Sequence, residues 1–215
     1  MSKYPIFLEL AGRRVVIIGA GPVAVRKAQG LLAAGARLVV VAKHIDDMLT
    51  IQSQAANIEL IRSAYSKDYL AGAVLVIAAT NDQQLNERIY KDCQELEILC
   101  NVVDQPELCD FFIPAVVKRG DLQIVIGTEG HCPAYAGHIR KKLEQIFTDK
   151  HGEFLAELET IRERIIKHVV GPANRKALLG QLADDKSFEY FIQNGSTQWR
   201  LFAEELINNS SLARQ

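Results

Sequence analysis

Between residues 13 and 103, short runs of β-branched and aliphatic residues alternate with stretches long enough to form helices. The runs are Arg14-Val-Val-Ile-Ile, Arg37-Leu-Val-Val-Val, Ile58-Glu-Leu-Ile, Val74-Leu-Val-Ile-Ala-Ala and Ile98-Leu-Cys-Asn-Val-Val. Amphipathic stretches at residues 22–34, 45–56 and 82–97 separate them, and in the last Leu85, Ile89 and Leu96 fall near helical spacing. The order β-α-β-α-β-β-α-β predicts an α/β fold, a Rossmann-type parallel sheet with helices on both faces.

After Pro106 the pattern changes. Residues 111–117 and 122–126 flank Lys118-Arg-Gly-Asp, which predicts a β-hairpin turn in place of a crossover helix. A helix with a basic patch is expected over 133–147, and from Glu153 onward Phe154, Leu158, Ile161, Ile165 and Ile166 mark another. Gly171-Pro172 stops that helix, and helical patterning resumes over 173–206 without repeats. The expected division is a Rossmann domain over 1–113, a hairpin and helix module over 114–147 and a small all-helical domain over 148–215. Such helix faces either close a dimer or pack on their own chain.

Composition narrows the classes of function. With 215 residues, 48% of them hydrophobic, the chain can fill a core without staples. Its 25 Lys and Arg against 26 Asp and Glu leave a net charge of −1, so no global field holds nucleic acid or an anionic membrane, and any anion site is local. The cysteines Cys93, Cys100, Cys109 and Cys132 form no C-x-x-C pair, and no secretory signal precedes them, so the expectation is a reducing cytoplasm without disulfides or a zinc ribbon. The apolar runs are strand-sized, well short of the ~20 residues that span a bilayer.

The first run leads directly into Gly19-Ala-Gly-Pro-Val-Ala, a G-x-G-x-x-A loop between a strand and a helix. Gly19 permits the tight turn, Gly21 lets the backbone approach a pyrophosphate, and Ala24 lets the helix pack closely on the sheet. Pro22 and Val23 open the helix, whose N-terminal amides and dipole favour phosphate. The expected ligand is a nicotinamide dinucleotide. The acidic residue that often holds the ribose about 20 positions later is missing, because the second run ends Val41-Ala-Lys-His. Lys43 favours a 2′-phosphate, whereas backbone around Lys43 and His44 suits an unphosphorylated ribose, and the loop alone does not choose between NAD and NADP. In Ala78-Ala-Thr-Asn-Asp, Thr80 and Asn81 are placed either to touch the cofactor or to cap the next helix.

The fifth run ends Asn101-Val-Val-Asp-Gln-Pro, placing Asn101 and Asp104 near the sheet edge where open α/β folds bind ligands. Dehydrogenation needs a hydride acceptor and a proton acceptor, and a carboxylate beside a nicotinamide supplies the second. Asp104 suits that role and equally suits opening the turn into Gln105-Pro106. No tyrosine is followed by lysine four residues later, which removes the short-chain dehydrogenase solution. Cys132 beside His131 lacks a third group for nucleophilic catalysis.

The glycine loop continuing to Val-Arg-Lys-Ala, the segment Ile77-Ala-Ala-Thr-Asn, and Asn101-Val-Val-Asp-Gln-Pro-Glu-Leu-Cys-Asp-Phe-Phe-Ile-Pro-Ala together resemble the precorrin-2 dehydrogenase/sirohydrochlorin ferrochelatase family. The resemblance runs from Pro5 to about Leu143 and includes Pro5-Ile-Phe-Leu-Glu-Leu and the Arg26-Lys27 pair. It implies NAD-dependent oxidation of precorrin-2 to sirohydrochlorin in sirohaem biosynthesis and, in bifunctional members, insertion of ferrous iron. It also implies a homodimer whose hairpin and following helix cross between subunits, which makes 114–147 a dimerisation module. Asp104 takes the position linked to both activities; cofactor contacts are implied at Pro22, Val23, Lys43 and His44. No resident metal is expected. Methylation of the substrate would fall to a separate methyltransferase, a transient partner.

Precorrin-2 carries eight carboxylates, so Lys118, Arg119, Arg140, Lys141 and Lys142 are candidates to face it, each of them also readable as a solvated charge. The chain departs from the family at Gly127-Thr-Glu-Gly-His-Cys-Pro, where members commonly carry a serine-rich segment; Thr128 keeps one hydroxyl for substrate binding. His131 and His138 lie seven apart, near two helical turns if the helix begins early, and would then approach a metal in transit. Two rivals remain at this level: an NAD(H)-sensing regulator without turnover, and a chelatase with a vestigial nucleotide site.

Overall fold

The computed structural model describes residues 3–45 and 58–212. The expected helix at 45–56 lies, apart from Ile45, outside the described residues. The chain divides into two compact units, residues 1–113 and 114–215.

In the first unit, β1 (Arg14–Ile18), α1 (Pro22–Ala33), β2 (Arg37–Ala42), β3 (Ile58–Arg62), β4 (Leu75–Ala78), α2 (Gln83–Glu95) and β5 (Leu99–Val102) follow in order. The strands form one parallel sheet ordered β3-β2-β1-β4-β5, as the alternation of runs and helices predicts. Alternate residues of each strand point to opposite faces. On one face Val15, Ile17, Leu38, Val40 and Ile77 pack with Ala24, Ala28 and Leu31 of α1. On the other, Val16, Ile18, Val39, Val41 and Val76 pack with Ile89 and Cys93 of α2. Chain order reverses between β1 and β4, the switch point at which such sheets leave a crevice.

Beyond β5 the chain turns back through a 3-10 segment at Pro106–Leu108. An antiparallel bridge joins Asn101 to Cys109, and Asp110 N–H donates to the Cys100 carbonyl at 2.8 Å. The Asp110 carboxylate returns the bond, accepting from Cys100 N–H at 2.8 Å.

The second unit opens with β6 (Ala115–Arg119) and β7 (Leu122–Ile126), paired antiparallel. The turn is therefore Gly120-Asp121 alone: Lys118 and Arg119 belong to the strand, and residues 111–114 precede it. Gly120, at φ +57, supplies the positive φ that tight hairpin turns require. Then follow α3 (Pro133–Ile146), α4 (Asp149–His168), α5 (Pro172–Leu182) and α6 (Asp185–Leu212), the last kinked at Gly195. Helix α4 starts four residues before the expected Glu153, where Thr148 and His151 form a reciprocal cap. The hydrophobic core of α4, α5 and α6 holds Ile161, Ile165, Leu182, Phe191 and Trp199. The Trp199 indole N–H is fully enclosed and donates to Ser187 Oγ at 2.8 Å. Glu157 on α4 accepts two bonds from Arg200 on α6.

Candidate functional site

At the carboxyl ends of β1, β2 and β4, loops enclose a cavity of about 550 Å³, within the ordinary range for small-ligand sites. Gly19, Ala20 and Gly21 form one wall, Lys43 and His44 a second, and Ala79, Thr80 and Asn81 a third. Gly19 sits at φ +107, and a Cβ there would lie 2.3 Å from the Ala79 carbonyl oxygen. The glycine thus lets the first turn close against the fourth strand. Gly21 is the N-cap of α1, and no side chain caps that helix. Pro22 has no N–H to offer, so the unclaimed donors of the first turn begin with Val23. Uncapped amides at the positive end of a helix dipole, reached through a glycine without Cβ, are a cradle for a pyrophosphate. The residues present fit a dinucleotide.

Lys43 and His44 are exposed at the end of β2 on the cavity wall. Thr80 also lines it, but its hydroxyl bonds Asn86 Oδ1 at 2.7 Å, and the Asn86 amide returns a bond to the Thr80 carbonyl. The cap of α2 is neither Thr80 nor Asn81: Asp82 Oδ1 accepts from Leu85 N–H at 3.0 Å.

Tyr65 is a further wall residue, one that no motif in the sequence singles out. Its hydroxyl donates to Asp92 Oδ2 at 2.7 Å, and Arg88 lies over its ring. Burial, then the bond to Asp92, pushes the phenol pKa above its usual value, so Tyr65 is a neutral donor. The available signal was its place: Ser63, Ala64 and Tyr65 directly follow β3 at the binding edge of the sheet.

Asp104 is exposed two residues beyond β5, at φ +61. Val103 N–H bonds the Ala78 carbonyl at 2.9 Å, so the Asp104 turn departs beside the strand that delivers Ala79 and Thr80 to the cavity. Left-handed backbone costs a residue with a Cβ roughly 1–2 kcal/mol, less for Asp and Asn. Lys27 of α1 is half-buried; burial first, and Arg26 second, lower its pKa, while Cys109 and Asp104 pull it back up. Asn101, expected at the cofactor, is buried and not among the cavity walls: its amide donates to the Phe111 carbonyl at 2.9 Å.

The six residues expected at substrate lie in the second unit, with Lys141 and Lys142 exposed on α3. Arg119 donates to the Phe147 carbonyl at 2.7 Å and the Glu144 carbonyl at 3.1 Å, closing the C-terminal end of α3, and pairs with Asp149 at 3.4 Å. Arg140 is paired with Glu144 one turn along α3. Thr128 Oγ1 accepts from Cys132 N–H at 3.4 Å. Lys118 is exposed on β6 and enters no ion pair with the described residues. His131 precedes α3, which begins at Pro133, so the two-turn relation to His138 does not arise; the His138 ring stacks on Tyr135.

Residues 6–115 match a family model described as "Putative NAD(P)-binding". Siroheme synthase of Photorhabdus laumondii is 35% identical over 198 residues, covering 92% of this chain and 42% of its own length. Siroheme synthase of Psychrobacter arcticus is 40% identical over 158 residues, 74% of this chain and 29% of its own. The chain therefore spans less than half the length of these relatives. The solved structure of SirC, precorrin-2 dehydrogenase, superposes with a TM-score of 0.79 over 94% of this chain and all of that one, at 24% sequence identity, a likeness of fold.

Proposed function

Since the chain belongs to the NAD(P)-binding family matched over residues 6–115, we propose that it is an NAD-dependent dehydrogenase that oxidises precorrin-2 to sirohydrochlorin in sirohaem biosynthesis. The observation that carries this reading is the placement of Asp104 in the turn two residues beyond β5, next to the β4 loop that walls the dinucleotide cavity. The names of the siroheme synthases and of SirC support the choice of substrate.

In this reading Gly19 and Gly21 let the loop approach the pyrophosphate, Pro22 opens the helix and the Val23 amide donates to the phosphates, Lys43 and His44 hold the adenosine ribose, and Thr80 shapes the wall beside the ring. NAD, when bound, supplies the hydride acceptor. Removing two hydrogens from precorrin-2 releases one hydride and one proton, and Asp104 takes the proton and passes it to solvent. Lys118, Arg119, Thr128 and Arg140 are the proposed tetrapyrrole contacts; Arg119 and Arg140 act there through whatever donors their internal bonds leave.

The proposal extends to a cytoplasmic homodimer built on residues 114–147, where Tyr135 and Ile146 are exposed apolar side chains, and to a separate methyltransferase that supplies the substrate. The exposed Asp104 carboxylate also suits a second reaction, ferrous iron insertion into sirohydrochlorin, in which it accepts the protons leaving the pyrrole nitrogens. Asp104→Ala tests the assignment: NADH binding, followed by nicotinamide fluorescence, is retained and precorrin-2 oxidation is lost. Full oxidation by that variant contradicts it.

A further inference from the structure

The turn that carries Asp104 is held from inside by two side chains that do not line the cavity. Val102, Val103, Asp104 and Gln105 form a β-turn in which Gln105 N–H meets the Val102 carbonyl at 3.4 Å. Its third residue has φ +61, a place that favours Gly or Asn. Here that place holds a carboxylate, which has to be kept there by its surroundings.

Cys109 lies where it can do so. Its Sγ is 3.2 Å from the Val102 carbonyl and 3.3 Å from the Gln105 carbonyl, the two ends of the turn. One thiol proton is shared between these acceptors. Burial pushes the Cys109 thiol pKa up, so it remains a donor at neutral pH. Asn101 completes the arrangement: its amide donates to Cys109 Sγ at 3.4 Å and to the Phe111 carbonyl at 2.9 Å, fixing the returning chain against β5.

We propose that Asn101 and Cys109 are positioning residues, a latch that fixes the Asp104 turn in its left-handed form and so aims the carboxylate at the reacting carbon. The inference rests on the reading of Asp104 as proton acceptor. It gives Asn101 a role one step removed from the cofactor, and it explains why a half-buried thiol stands five residues beyond the carboxylate.

The test compares Cys109→Ala, Cys109→Ser and Asp104→Ala in the full chain, with steady-state precorrin-2 oxidation and NADH binding measured on each. Misplacing a catalytic group by an ångström costs up to about 100-fold. Cys109→Ala is therefore expected to lose roughly 10- to 100-fold in kcat with KM and NADH affinity unchanged. Cys109→Ser, which restores a donor, is expected to recover most of that rate. Wild-type kcat in Cys109→Ala, beside an inactive Asp104→Ala, overturns the latch and leaves the Asp104 assignment standing. Equal losses in the Ala and Ser variants, or loss of NADH affinity, also overturn it. An active Asp104→Ala overturns the underlying reading instead. Should Cys109→Ala fail to fold, Asn101→Ser, which removes the amide and keeps the thiol, replaces it with the same expected split.

Discussion

Gly19 and Ala79 meet backbone to backbone: a Cβ on residue 19 would stand 2.3 Å from the Ala79 carbonyl oxygen, at a φ of +107 that side chains rarely adopt. The nucleotide loop can close on β4 only because residue 19 is glycine. Gly19→Ala is expected to cost at least about 1–3 kcal/mol of stability and to displace the amides that face the phosphates. NADH affinity should fall at least tenfold by fluorescence titration, about 1.4 kcal/mol of binding. Unchanged affinity would show that the loop does not hold the dinucleotide.

Gly152 poses the same steric problem in the second unit, where an added Cβ would lie 2.5 Å from the Arg119 carbonyl oxygen. That oxygen belongs to fixed hairpin backbone, so α4 must move away. Gly152→Ala is expected to lower the urea midpoint by an amount equivalent to about 1–3 kcal/mol, as overpacking does, while leaving NADH affinity intact. A wild-type midpoint would show that α4 and the hairpin adjust freely.

Lys27 gives a pH dependence whose sign is fixed. Burial chiefly, then Arg26, lowers its pKa below 10.5, so the unfolded chain binds the proton more tightly than the folded one. Stability therefore rises with pH between the lowered value and 10.5, and below that interval the charged ammonium opposes folding. Lys27→Met is expected to melt higher than wild type at pH 7, with the difference shrinking as pH approaches 10.5. The effect is modest because the group is half-buried. A variant that melts lower at pH 7, with the gap constant across pH, would contradict it.

The parallel sheet is legible in the sequence because β1, β2 and β4 are almost wholly apolar and the glycine loop sits at the first crossover, so pattern and motif agree. The hairpin's start is less legible. Lys118 and Arg119 look like turn residues, but the acceptors that draw Arg119 into a strand, Glu144 and Phe147, are 25 and 28 positions away. Tyr65 escaped for a similar reason: its place on the cavity depends on β3 lying beyond β2 and on Asp92, 27 residues on. Asn101 looks like a ligand residue by position, and only the returning segment at Cys109 and Phe111 shows where its amide is engaged.

Turnover is read out by anaerobic incubation of the purified protein with precorrin-2 and either NAD or NADP, following tetrapyrrole absorbance and reduced nicotinamide together. Protein-dependent formation of sirohydrochlorin and NADH in equal amounts, faster with NAD than with NADP, is the expected result. Nucleotide binding without turnover on either cofactor would contradict it and favour a sensing role for the same cavity.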